Sequence, residues 1–132
     1  SLPAATKLIF LCHPNNPTAN LMPQAQLKAV LEGFGGIVVV DEAYIEFSKE
    51  ASVLPWLPRY PNLVVLQTLS KAWGLAGLRV GATYASPGII SWLLRIKPPF
   101  NVGSPAQALA YDALKAPARM AAHVAALLAG RQ

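Results

Sequence analysis

The stretch that decides how this chain folds is Thr68-Leu69-Ser70-Lys71-Ala72-Trp73-Gly74-Leu75-Ala76-Gly77-Leu78-Arg79. An apolar run from Leu63 to Leu66 precedes it and another, Val80 to Ala85, follows, so it reads as a loop between two strands. It holds a lysine beside hydroxyl residues, glycines that relax the backbone, and an arginine eight positions after the lysine. An amine in that setting suits imine formation with a carbonyl cofactor whose phosphate the hydroxyls and the guanidinium hold.

Working outward, two further strands end in polar clusters. Lys7 to Cys12 is a short continuous apolar run, the mark of a strand covered on both faces, and it ends in His13-Pro14-Asn15-Asn16-Pro17-Thr18. Two prolines and two asparagines there forbid regular structure. Pro23 stands where the first residue of a helix belongs, Leu27, Val30, Leu31 and Phe34 recur at helical spacing, and Gly33, Gly35 and Gly36 end that helix. Ile37 to Val40 is the next strand, with Asp41-Glu42-Ala43-Tyr44 at its C-terminal end. Pro55, Pro58 and Pro61 then limit any helix to a turn or two. Beyond the lysine loop, helices are expected after Pro87, from Ser104-Pro105 to about Lys115, and from Pro117 onward.

Strand, loop and helix in repeated succession imply an α/β fold with a mostly parallel sheet flanked by helices. In such sheets ligands collect outside the C-terminal ends of the strands. Asn16, Asp41 with Tyr44, and Thr68, Ser70 and Lys71 all fall at those ends.

Composition narrows the function classes. With 54% hydrophobic and 13% charged residues the chain has ample apolar material for a core. The net charge is +5, but the eleven Lys and Arg are scattered, with no basic run and no nucleic-acid-binding motif. The apolar runs are too short for a membrane span of about 18 residues. Cys12 is the sole cysteine, which excludes an internal disulfide and fits a reducing compartment. His13 and His123 lack metal-ligand spacing, and no nucleophile-elbow, Walker or dinucleotide glycine motif occurs. Glu42 and Glu46 have nothing that makes them a paired acid and base.

Taken singly, the site candidates have ordinary alternatives: Asp41 as a loop cap, Tyr44 as a partly buried aromatic, Asn16 as a turn residue. Together, Asn15-Asn16-Pro17-Thr18, Asp41-Glu42-Ala43-Tyr44-Ile45-Glu46-Phe47 and the lysine loop resemble the fold-type-I aminotransferases that use pyridoxal phosphate. Within that family Asp41–Phe47 and Ser70–Arg79 are most similar to the branch acting on histidinol phosphate. The resemblance implies that Lys71 binds the cofactor as an imine and shuttles the proton. It implies Asp41 on the pyridine nitrogen, Tyr44 and Asn16 on the ring 3′ oxygen, and Ser70, Arg79 and Thr68 on the phosphate. It also implies a cis bond at Asn16-Pro17, whereas Ala19 departs from the family's usual glycine.

By the same resemblance, residues 1–132 are the central segment of a large domain, without the N-terminal segment and the C-terminal small domain. The expected substrates are an amino donor such as histidinol phosphate and 2-oxoglutarate, in a cytoplasmic histidine-biosynthetic enzyme that is a homodimer at full length. No nucleic acid, membrane or metal is expected. Two alternatives stay open: an enzyme of the threonine-phosphate decarboxylase type, and a catalytically incomplete fragment that serves as a folded or binding module.

Overall fold

A computed structural model of the chain describes residues 3–130. Four strands, β1 (Leu8–Cys12), β2 (Ile37–Asp41), β3 (Leu63–Thr68) and β4 (Gly81–Ala85), form one sheet in sequential order. The first three are parallel and β4 runs antiparallel to β3. The reason lies in the connections. Helix α1 (Gln24–Gly33) carries the chain back between β1 and β2, and two 3₁₀ turns, Ile45–Phe47 and Leu54–Trp56, lie between β2 and β3. The lysine loop, residues 69–80, instead closes on itself, with the Leu69 amide donating to the Val80 carbonyl at 3.1 Å, so the next strand runs back beside the one it left.

Alternation along the strands sends Val38, Val40, Leu63 and Val65 to one face, where they are buried against Leu27 and Leu31 one turn apart on α1. Val53 and Tyr60 from the second crossover close this core. Burying side chains of this kind supplies about 1.5–3 kcal/mol each. Asn62 Nδ2 donates to the Leu31 carbonyl at 3.0 Å and lies 3.3 Å from those of Phe34 and Gly36, so a crossover side chain satisfies the orphan end of α1. Gly36 is required where it stands, because a Cβ there would collide with the Lys7 carbonyl. The opposite face at β1 is open: Leu8 is 50% and Phe10 65% exposed.

Three helices follow β4: α2 (Pro87–Ile96), α3 (Ser104–Leu114) and α4 (Pro117–Ala129). Their starts at prolines follow the sequence expectation, with small shifts at two boundaries. Pro23 precedes α1 as its cap residue rather than its first residue, and Ser104 lies inside α3 with Gly103 as the cap. Proline tolerates each of these positions because none requires its missing N–H. Among the described residues no helix is long and apolar enough to cross a membrane.

Candidate active site

The site is the edge of the sheet where β1, β2 and β3 end. Strand register fixes its floor: Cys12 lies opposite Asp41, and Asp41 opposite Leu66, so Asp41 and Thr68 project from the same face. The Asp41 carboxylate accepts the Ala43 amide at 2.9 Å, which orients it at the strand's end. Its neighbour Glu42 points the other way and is fully buried. There Glu42 accepts from the Val53 amide (2.7 Å), the Ser52 hydroxyl (2.6 Å) and Gln67 Nε2 (2.8 Å). Glu42 is therefore a structural anchor that fastens the second crossover to β3, a role its sequence context did not reveal.

The β1 loop brings Asn16 across to Tyr44, with Asn16 Nδ2 3.5 Å from the tyrosine hydroxyl. Both Asn16-Pro17 and His13-Pro14 are cis, the first as the resemblance implies and the second unforeseen. Ala19 takes a left-handed conformation with φ 58°, which accounts for glycine being the easier residue in this turn. Asn15 Nδ2 donates to the Thr18 hydroxyl at 2.8 Å and the Ala19 amide to the Asn15 carbonyl at 2.7 Å, which closes the loop on itself. A cleft of about 460 Å³ opens between this loop and the segment of Tyr44 and Phe47.

The lysine loop completes the edge. Lys71 Nζ lies 5.3 Å from the centroid of the Tyr44 ring, so Asn16, Tyr44 and Lys71 form a continuous row. The Ser70 amide donates to Thr68 Oγ1 at 3.1 Å, which sets the two hydroxyl residues side by side. Arg79 has φ 55°, and its guanidinium donates to the Ala76 carbonyl at 2.8 Å, so it braces its own turn. Its head is bound within that turn, and no contact in this structure ties it to Lys71 or Ser70.

The apolar, small neighbours of Lys71 and Arg79 suggest burial, and burial would favour a neutral lysine. Both residues are exposed. Small neighbours leave a long side chain uncovered as readily as they enclose it, and the sheet edge that carries these two faces outward.

Three features of the site lay outside the sequence reading. Trp73 Nε1 donates to Glu46 Oε1 at 3.3 Å, and His123 of α4 lies 2.9 Å from the Ala72 carbonyl. Burial, opposed by hydrogen bonds to its charged form and aided by nearby Glu42, pushes the Glu46 carboxyl above its ordinary value. His13 is fully buried with neither ring nitrogen hydrogen-bonded. The first two are contacts across 27 and 51 residues, for which no local pattern exists.

The arrangement suits an anionic ligand that also carries a hydrogen-bond donor. Lys71 and Arg79 form no ion pair among the described residues, where the pair found is Arg59 with Glu32. Hydroxyl and amide groups stand beside them and a carboxylate stands at the next strand end. No cluster of metal ligands occurs among the described residues.

The lysine loop thus stands at the carboxyl edge of an α/β sheet, the place where enzymes of this architecture bind their ligands. Residues 2–132 match aminotransferase class I and II, and the chain belongs to that family. It is 54% identical over 110 residues to the histidinol-phosphate aminotransferase of Cytophaga hutchinsonii, an alignment covering 83% of this chain and 32% of that protein. The solved histidinol-phosphate aminotransferase of Sinorhizobium meliloti, a complex with pyridoxal-5'-phosphate, superposes with a TM-score of 0.82 at 29% identity, over 89% of this chain and 33% of that one. The L-threonine-O-3-phosphate decarboxylase of Porphyromonas gingivalis superposes with a TM-score of 0.83 at 26% identity, over 89% and 37%. The chain thus spans about a third of the length of the relatives it matches.

Proposed function

We propose that this chain is the lysine-bearing central segment of the large domain of a pyridoxal-phosphate-dependent aminotransferase acting on histidinol phosphate and 2-oxoglutarate in histidine biosynthesis. The observation that carries the proposal is the row Asn16, Tyr44 and Lys71 beside Asp41 on one edge of the sheet. The substrate reading is supported by the 54% identity over 110 residues to an enzyme of that name. Cytoplasmic location and a homodimer belong to the same proposal.

The residues present fit the cofactor by their chemistry. Two cations without acid partners among the described residues and two hydroxyls suit a phosphate, and a carboxylate held by a single backbone amide keeps an oxygen free for a protonated ring nitrogen. When bound, pyridoxal phosphate supplies a carbonyl for an incoming amine and a ring that takes up electron density from the substrate Cα. Arg79 would hold the phosphate through its planar fork, with Ser70 and Thr68 donating their hydroxyl protons. Asp41 would keep the ring nitrogen protonated by offering it a fixed negative charge. The Tyr44 hydroxyl and Asn16 amide would donate to the ring oxygen, which orients the ring across the sheet edge. Lys71 Nζ would hold the cofactor and then, as a free amine, take the proton from the substrate Cα. Because Lys71 is exposed here, water must be excluded by the ligand itself and by flanking protein.

The test uses pyridoxal phosphate followed by borohydride. Peptide mapping is expected to find the fixed pyridoxyl group on Lys71, and none in the Lys71→Ala variant. A label elsewhere, or an unchanged label in the variant, overturns the cofactor assignment. Formation of glutamate from histidinol phosphate and 2-oxoglutarate by the full-length protein tests the substrate, and a higher kcat/KM with aromatic amino acids would reject it.

A further inference from the structure

The lysine loop is held from outside by two side chains. Glu46, in the 3₁₀ turn after β2, accepts the Trp73 indole N–H at 3.3 Å. His123, in α4, meets the loop backbone: its Nδ1 lies 2.9 Å from the carbonyl oxygen of Ala72, the residue after Lys71. A carbonyl only accepts, so Nδ1 carries the proton in this contact. The neutral Nδ1–H tautomer and the imidazolium both provide that donor.

The fit around the ring is specific. Gly74 has φ 68°, a conformation open to glycine at little cost, and a Cβ there would stand 3.4 Å from His123 Cε1. The turn thus passes close beside the imidazole. Ala72, whose carbonyl is engaged, is fully buried, so that carbonyl has no solvent to fall back on. Within the loop the Gly74 amide donates to the Lys71 carbonyl and the Leu75 amide to the Leu69 carbonyl, both at 2.9 Å. These bonds close the loop on itself, and the two outer contacts are the side-chain hydrogen bonds that tie it to elements beyond the β3–β4 hairpin. A cavity of about 250 Å³, bounded by Trp73, Gly74, Met120 and His123, lies beside the contact, so the loop has room to move once the bond is gone.

We infer that His123 is the positioning residue of the lysine loop: its Nδ1–H holds the Ala72 carbonyl and so fixes where Lys71 presents its amine. The inference rests on the cofactor reading of Lys71 for its functional meaning. His123 touches neither substrate nor cofactor, and it acts through the backbone beside the lysine. It also makes α4 the element to which the loop is referenced, across 51 residues of sequence.

Three variants of the full-length protein test this: His123→Leu, which fills the space without a donor; His123→Asn, which restores an N–H at the same branch of the side chain; and His123→Gln as a second donor should Asn disturb α4. The first measurement is amide exchange at Gly74 and Leu75 in the cofactor-free protein. Loss of one hydrogen bond is expected to speed it about five- to tenfold in His123→Leu. The second is the pyridoxal phosphate concentration giving half-maximal borohydride-fixed label on Lys71, expected to rise by a similar factor. Both are expected to return toward the parent value in a donor variant. Unchanged exchange in His123→Leu, no recovery in either donor variant, or faster exchange with unchanged labelling would overturn the inference. If the parent protein takes no label, the cofactor reading fails instead, and the exchange result alone decides whether His123 holds the loop.

Discussion

The two sides of the β2 terminus use adjacent carboxylates in opposite ways. Glu42 turns inward and is met by three donors within 2.8 Å, while Asp41 turns toward the site and accepts one backbone amide. The same contrast runs through the molecule. On the packed side, polar groups such as Asn62 and Glu42 are spent on holding elements together. On the site side, Lys71 and Arg79 have no acid partner among the described residues, and Asn16 reaches Tyr44 only at 3.5 Å. Unspent polar capacity is what a binding edge consists of, and strand alternation lets one dipeptide serve both sides.

Lys71→Ala sharpens this contrast most. It is expected to remove the pyridoxyl label entirely while leaving the thermal midpoint nearly unchanged, as mass spectrometry and calorimetry would show. Glu42→Ala should do the reverse. It strands three donors, two side-chain and one backbone, in a buried place, and a cost of about 3 kcal/mol in urea unfolding is expected. A cost below about 1 kcal/mol would mean that these bonds do not hold the second crossover.

His13 breaks the pattern, being fully buried on the packed side with both nitrogens unpartnered. His13→Leu removes two unpaired polar atoms at similar volume and is expected to raise stability by about 1 kcal/mol. Substantial loss instead would show that the imidazole has a partner in solution.

The smallest effect concerns Glu46, whose carboxyl is pushed up chiefly by burial. For an acid raised in the folded state, the associated stability is full below the ordinary value of 4.5 and is lost as pH rises through the raised value. Glu46→Gln keeps an acceptor for Trp73 and removes the charge. Its thermal midpoint should exceed the parent's by a small margin at pH 7, with the difference vanishing near pH 4.

Much of this was readable from the sequence because it is local. Continuous apolar runs announced β1, β2 and β3, prolines marked the helix starts, and polar clusters at three strand ends pointed to one edge. The antiparallel course of β4 follows from a loop that closes on itself after Thr68, though the apolar run Val80 to Ala85 carries no direction of its own. The exposure of Lys71 and Arg79 was not legible, since neighbouring residue types do not say which way an edge faces. Nor were the Trp73–Glu46 and His123–Ala72 contacts, which depend on helices and turns meeting far along the chain.

The hairpin of β3 and β4 has a consequence for assembly. Its two strands pair across residues 69–80, so closing them costs little chain entropy, whereas bringing β1 beside β2 requires the whole of α1 between them. Folds rich in contacts of short sequence separation fold faster than those dominated by distant pairings. The loop bearing Lys71 therefore closes on local terms, at less entropic cost than the crossovers that bring Asn16 and Asp41 alongside it.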